Sequence, residues 1–211
     1  TSSDDRTIRL WTVGQAGCLA ELKLPEETEK GAMGIFDSTG LVFAVTASYS
    51  QGHYLHMYDA RNYSAGAFAE LKVTHQDLET AIQSHVNVEP SRAQSLSQGD
   101  WKSMQFNVSG DRILVGADKG MCIMLDGFEG TVQRDLLGPK QTDRAAVCCF
   151  TSDDKTILQG NGDGSISCWD VGTGTVVRPL TGHPAAVTCV ASNTKYTQIA
   201  SACSQTALWT W

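Results

Sequence analysis

The sequence has no apolar run approaching the ~18 residues that a membrane-crossing helix requires, so no membrane partner is expected of it. No basic, apolar leader opens the chain, so no secretory signal is read there. Cationic residues are in the minority, 16 Lys and Arg against 23 Asp and Glu, for a net charge of −7. That balance offers no basic face to grip a phosphate backbone unaided, and direct nucleic-acid binding is not expected. There is no Cys-x-x-Cys pair. The seven cysteines, Cys18, Cys122, Cys148, Cys149, Cys168, Cys189 and Cys203, are scattered and several sit inside apolar alternating runs. Such a set reads as free, mostly buried thiols of a reducing compartment, with neither disulfides nor a zinc cluster. The chain also lacks a nucleophile elbow and paired carboxylates outside turns, so no catalytic residue, cofactor or metal is assigned and the protein is not expected to be an enzyme. A sustained 3.6-residue apolar period is missing as well, and almost no helix is expected.

What the sequence does have is a repeat. "IFDSTGLVFAV" (35–45), "QFNVSGDRILVGA" (105–117) and "CFTSDDKTILQGN" (149–161) share one plan: an apolar residue and Phe, a polar turn, then a β-branched or leucine-rich run. "CVASNTKYTQIASA" (189–202) is a looser copy. Each is followed by a second alternating run, "HYLHMYDA", "MCIMLDG", "SISCWD" or "TALWTW", and often by a third. Runs of this length punctuated by Gly, Asp, Asn and Ser are strands joined by tight turns. Antiparallel units recurring every ~40–45 residues are the blades of a β-propeller; the 40 residues from Trp169 to Trp209 fit that period.

The stretch "GNGDG" (160–164) has the look of a phosphate loop, but it precedes an alternating, strand-like run. A phosphate cradle needs a helix there, whose N-terminal N–H groups supply the donors. Asp163 is therefore read as a turn residue that accepts local backbone hydrogen bonds.

The terminal pair Trp169-Asp170, the equivalent Trp11 and Trp209, the turn acids Asp5 and Asp163 six residues before their tryptophans, and Gly182-His183 together resemble the WD40 repeat family. The resemblance implies an all-β WD40 propeller, seven-bladed when complete. It also implies a buried network of His, Ser or Thr, turn Asp and Trp within each blade, drawn here from Ser3, Asp5, Trp11, Asp163, Trp169, His183, Ser201 and Trp209. No blade has the whole set: Cys203 stands where the last blade would carry its Asp, and Gly138-Pro139 lies near the place of a Gly-His pair. Residues 40–73, 112–132, 150–177 and 199–211, with "YDARNYSAGAF" and "SACS" in that order, narrow the likeness to the WD repeat protein 82 family. Its members are WD-repeat subunits of COMPASS-type histone methyltransferase complexes. The family implies a nuclear, non-enzymatic scaffold whose partners are a histone methyltransferase subunit, the nuclear-targeting subunit of protein phosphatase 1 and the tail of RNA polymerase II.

Residues 1–211 then read as one propeller domain of about four and a half blades, begun in mid-blade at Thr1 and missing blades upstream. Residues 74–100, rich in Gln, Ser and acids, read as a polar insertion loop, solvated or partner-binding, whose excision between 84 and 98 should leave the fold intact; its His75 and His85 fit no metal spacing. The candidate partner contacts are Asp4 and Gly162 on one rim, near Gly182-His183, and Asp59 and Arg61 toward the outer or opposite edge. Tyr58 to Arg61, "YDAR", also resembles the Trp-Asp-x-Arg motif that docks some WD40 proteins on a cullin-4 adaptor, so a ubiquitin-ligase substrate receptor is the alternative. Arg61 could equally end its strand paired within the blade.

Overall fold

The computed structural model describes residues 1–3, 5–84, 88–137, 144 and 146–210, with Lys30 and Gly31 described in backbone only. Its strands form five antiparallel sheets in chain order. The first pairs β1 (Thr7–Trp11) with β2 (Cys18–Lys23). The second runs β3 (Lys30–Phe36), β4 (Val42–Tyr49), β5 (Gly52–Asp59), β6 (Ala69–Thr74). After two helices, α1 (His75–Gln83) and α2 (Pro90–Ser97), comes β7 (Trp101–Phe106), β8 (Arg112–Ala117), β9 (Met121–Asp126), β10 (Val132–Leu137). The fourth sheet holds β11 (Val147–Phe150), β12 (Thr156–Gly160), β13 (Ile166–Asp170) and β14 (Val176–Leu180). The last holds β15 (Cys189–Ser192), β16 (Gln198–Ala202) and β17 (Thr206–Thr210). These sheets have the build of propeller blades, numbered one to five below.

The blades stand side by side through their first strands: β3 packs against β1 and β7, β7 against β11, and β11 against β15. The apolar clusters accordingly lie between sheets. Ile8 meets Phe43 and Val45 between blades one and two, Leu114 and Met124 meet Phe150 and Trp169 between three and four, and Leu158 and Ile166 meet Val190 and Ile199 between four and five. A sheet with apolar residues on both faces needs a neighbour on each side, which is why the strands read as near-continuous apolar runs.

The insertion departs from the expectation of a solvated loop, and with it the expectation of almost no helix. Thr74 caps α1 reciprocally with Asp77: Thr74 Oγ1 accepts from the Asp77 N–H at 3.0 Å and Asp77 Oδ2 accepts from the Thr74 N–H at 3.0 Å. Pro90 starts α2, where its missing N–H costs nothing. Leu78, Ile82, Ala93 and Leu96 are buried in one cluster with Leu55 and Val73 of blade two and Ile123 and Leu125 of blade three. α1 lies against β6 and β10, so the insertion seals the space between two blades. Four apolar side chains at i, i+4 and i, i+3 spacing suffice to dock two short helices, yet they leave the composition of residues 74–100 polar.

Candidate partner-binding rims

Antiparallel strands in chain order send alternate connections to opposite ends of each blade. The turns between second and third strands, and the crossovers from a last strand to the next first strand, share one end, the crossover rim. The other connections share the opposite rim. Gly162 and Asp163, between β12 and β13, lie on the crossover rim beside Gly182-His183: Gly164 has φ +87° and a Cβ there would collide with the His183 carbonyl oxygen. Asp59 and Arg61, between β5 and β6, lie on the opposite rim, where the Ala60 N–H donates to the Leu41 carbonyl. Asp4, Gly138, Pro139 and His85 fall outside the described residues.

The turn acids repeat one local geometry. Asp5 accepts from the Thr7 N–H at 3.0 Å, Asp163 from the Ser165 N–H at 3.0 Å, and Cys203 Sγ from the Gln205 N–H at 3.4 Å. Each acceptor stands six residues before its tryptophan, so a thiol fills the role of the carboxylate in blade five. No helix follows the Asn161–Ser165 turn; β13 does.

The tryptophans find their acceptors on the second strand. In blade five Trp209 Nε1 donates to Ser201 Oγ at 2.7 Å, and Ser201 Oγ also meets His183 Nε2 at 2.6 Å. In blade four Trp169 Nε1 donates to Gln159 Oε1 at 2.9 Å, and Gln159 Nε2 donates to the Gly120 carbonyl of blade three at 2.9 Å. Blade register makes Gln159 and Ser201 equivalent, each two residues beyond the partner of its Trp. Val45 and Val115 hold that place in blades two and three, and there the Trp gives way to Tyr58 and Leu125. A buried indole N–H needs an acceptor, whereas leucine needs none, so the two positions change together. In blade one the expectation for Ser3 is corrected: Trp11 Nε1 donates to Thr1 Oγ1 at 2.8 Å, and Ser3 Oγ accepts from the Asp5 N–H at 3.3 Å. Trp11 is half exposed, so this blade's network is not a buried one.

The sequence reading gave no role to a further group on the crossover rim, His53. It is 3% exposed, stacks on Trp101 with centroids 4.2 Å apart, and meets the His75 ring edge-on at 5.6 Å. Its Nδ1 shares a 2.9 Å hydrogen bond with Ser48 Oγ, while His75 Nδ1 meets the Ser97 carbonyl at 2.8 Å. His53 Nε2 has no hydrogen bond of good geometry among the described residues, although the Gly99 carbonyl lies near enough to favour its charged form. His53 and His75 floor a cleft of about 420 Å³ that Glu29, Tyr49 and Asp100 also line. The insertion thus builds one wall of a cleft on a propeller rim. "HYLH" and "THQD" were visible in the sequence, but nothing there shows that residues 53, 75 and 101 stack.

Burial, with His75 second, pushes His53 down to about 4 against an ordinary 6.5. The folded protein therefore excludes a proton that the unfolded chain takes up below 6.5. The stability held above pH 6.5 should fall as pH drops through 6.5 toward 4, by about 3 kcal/mol. Urea unfolding at about pH 7 and 4.5 should show this loss in the wild type and little of it in His53→Gln. Equal losses in the two proteins would show that other groups carry the dependence.

On the opposite rim Arg61 and Asp59 form a two-point fork, Nε to Oδ1 at 3.1 Å and Nη2 to Oδ2 at 2.9 Å, and the Arg61 N–H donates to the same carboxylate at 2.8 Å. The hydrogen bonds from the Arg61 side chain and backbone, in that order, hold the Asp59 carboxyl below its ordinary range.

Residues 174–209 match the family model described as WD domain, G-beta repeat. Along the chain, WD repeat-containing protein 82 of Drosophila melanogaster is 27% identical over 211 residues, which cover 99% of this chain and 58% of that protein. COMPASS component SWD2 of Saccharomyces cerevisiae is 23% identical over 96% of this chain and 57% of its own length. Protein ANTHESIS POMOTING FACTOR 1 of Arabidopsis thaliana is 23% identical over 81% of the chain and 43% of that protein. The chain spans about half the length of the curated relatives it matches.

Proposed function

We propose that this chain, whose residues 174–209 match the WD40 repeat and which aligns along 99% of its length with WD repeat-containing protein 82, is a non-catalytic scaffold subunit of nuclear chromatin-modifying and transcription-termination complexes. The observation that carries this reading is the alignment of nearly the whole chain with both WD repeat-containing protein 82 and a COMPASS component. In this reading residues 1–211 are part of a single propeller domain. Its partners are a histone methyltransferase subunit, the phosphatase nuclear-targeting subunit and the RNA polymerase II tail. The blades do the fixed work and the rims the recognition: strand side chains are committed to neighbouring sheets, whereas rim residues such as Gly162, Asp59 and Arg61 stand outside the core. Affinity purification of the full-length protein from nuclear extract tests it. Methyltransferase or phosphatase subunits should co-purify; recovery of a cullin adaptor in their place would overturn it.

The ligase alternative depends on Arg61. Its guanidinium is engaged by Asp59 two residues away, so an adaptor would have to break that fork or recognise the pair as a unit. Arg61→Glu replaces the pair by two like charges on an exposed edge and should leave the melting temperature almost unchanged. A partner docked on this edge should bind about tenfold more weakly or worse, mainly through slower association. Recovery of every partner at wild-type levels would make Arg61 solvated surface and remove the only motif behind the alternative.

A further inference from the structure

Three of the six phenylalanines, Phe43, Phe106 and Phe150, are buried. The other three, Phe36 at 53%, Phe68 at 62% and Phe128 at 74% exposed, all stand at the opposite-rim ends of blades two and three. Leu41 and Val108 are about half exposed on the same loops. The loops that carry these side chains join one another. Ser38 Oγ donates to the Val108 carbonyl at 2.6 Å, from blade two to blade three. The Gly127 N–H donates to the Asp111 carbonyl at 2.8 Å. Gly130, two residues after Phe128, packs directly on Leu71 of β6, the strand that Phe68 leads into. Phe36 itself lies against Phe43, 5.5 Å between centroids, on the side of blade two that meets blade one. The exposed anchors at the join of blades two and three are therefore Phe68 and Phe128, with Leu41 and Val108 on the adjoining loops, a grouping unlike isolated surface hydrophobics, which need no explanation.

The patch is also stiff. Asp126 accepts from the N–H groups of Phe128 and Glu129 at 2.8 and 2.9 Å. Asp37 accepts from the Val42 N–H at 3.0 Å, and Asn107 Oδ1 from the Arg112 N–H at 3.0 Å. Asp154 of blade four reaches across to the Val108 and Ser109 N–H groups at 2.9 and 3.0 Å. Exposed aromatic anchors on loops already ordered lose little entropy when covered. The same turn caps give the rim its sign. Asp37, Asp59, Asp111, Asp126, Glu129 and Asp154 stand on the loops of this rim against Arg61, Arg112, Lys155 and the head group of Arg134; Arg61 is taken by Asp59, and Arg134 donates to the Gly172 carbonyl at 2.9 Å. The N–H groups of Glu129 and then Phe128 hold the Asp126 carboxyl below its ordinary range, so it stays ionised at neutral pH.

We propose that this rim docks a linear segment of a partner protein that carries aromatic or aliphatic anchors flanked by lysine or arginine. The anchors cover Phe68 and Phe128, and the cations face the ring of carboxylates; an acidic or phosphorylated segment meets like charge here and is rejected. The proposal deepens the scaffold reading by giving one of its surfaces a chemistry.

Panning a random dodecapeptide phage library on the full-length protein, followed by fluorescence polarisation with the enriched peptides, tests it. The peptides should combine Lys or Arg with apolar residues. Their affinity should fall about tenfold or more in Phe68→Ser/Phe128→Ser and several-fold between about 50 and 500 mM salt, and should be unchanged in Gln51→Glu, at an exposed turn between β4 and β5 on the other rim. Circular dichroism and melting temperature of the double variant should match the wild type. Enriched peptides that are acidic, peptides bound equally by the double variant, or no enrichment at all would overturn the proposal. So would a wild-type dimer that becomes monomeric in the double variant, since a second copy would then be the occupant. Co-purification of nuclear complexes is read separately: complexes without such peptides sink the rim assignment alone, and such peptides without the complexes sink the scaffold reading alone.

Discussion

Replacing Leu78 and Ile82 together by alanine should destabilise the protein by on the order of 4–8 kcal/mol. Each side chain is 1% exposed, and both sit among Leu55, Val73, Ile123 and Leu125 of the two flanking blades. A buried leucine or isoleucine truncated to alanine costs roughly 2–5 kcal/mol, and two neighbours on one helix face share a cavity, so the pair adds to less than the sum. That loss is comparable with the whole stability of an ordinary domain. Urea unfolding followed by tryptophan fluorescence measures it, with Trp101 a reporter next to the insertion. A loss below about 1 kcal/mol would mean that the helices ride on the blades without holding them. The excision of residues 84–98 that a solvated loop would tolerate is now expected to fail. It removes Ala93 and Leu96 from the cluster and takes the Ser97 carbonyl from His75.

Trp169→Ala should cost about 3–5 kcal/mol. The indole is 7% exposed, lies in the cluster between blades three and four, and donates to a glutamine that is itself 2% exposed. Truncation leaves a cavity and also leaves Gln159 Oε1 buried without its donor. Trp169→Phe keeps most of the volume and should cost less, chiefly the missing hydrogen bond. The informative variant is Gln159→Val/Trp169→Leu, which installs the Val115 and Leu125 solution of blade three in blade four. If the two positions are coupled by hydrogen-bond need, this double variant should be more stable than Trp169→Leu alone. A double variant that is less stable would show that packing volume decides, and the pairing of Gln with Trp and Val with Leu would lose its explanation.

Most of the scaffold can be read from the chain. Strands punctuated by Asp, Asn and Gly, a 40-residue spacing between Trp169 and Trp209, and acids six residues before the tryptophans are local signals, and blades are built from local pairings. The insertion reads as a loop because each helix has only two or three apolar residues, too few to lift a window of Gln, Ser and Glu. The better signals were at the helix starts: Thr74-His-Gln-Asp77 is a capping box and Glu89-Pro90 a helix entry. The functional surfaces were the least legible. His53 and Trp101 are 48 residues apart and stack only because the insertion folds back, and the loops of Phe68 and Phe128 are joined only where Gly130 packs on Leu71. Side chains brought together by the join between two blades leave no pattern within either.

The placement of the apolar clusters between sheets has a consequence for how disturbance spreads. Blade three, like blades two and four, contributes to two clusters, one shared with the insertion and blade two and the other with blade four. No face of it can be released without opening a neighbour, so its amide groups belong to the most cooperative part of the chain. The β1–β2 sheet is fastened chiefly through Ile8 and Leu24 to the face of blade two that carries Phe43. A substitution is therefore felt by the adjoining blades and fades beyond them. Recognition on the two rims of one blade pair can evolve with little penalty to the rest of the ring, because the grammar of each loop is bounded by its own pair of sheets.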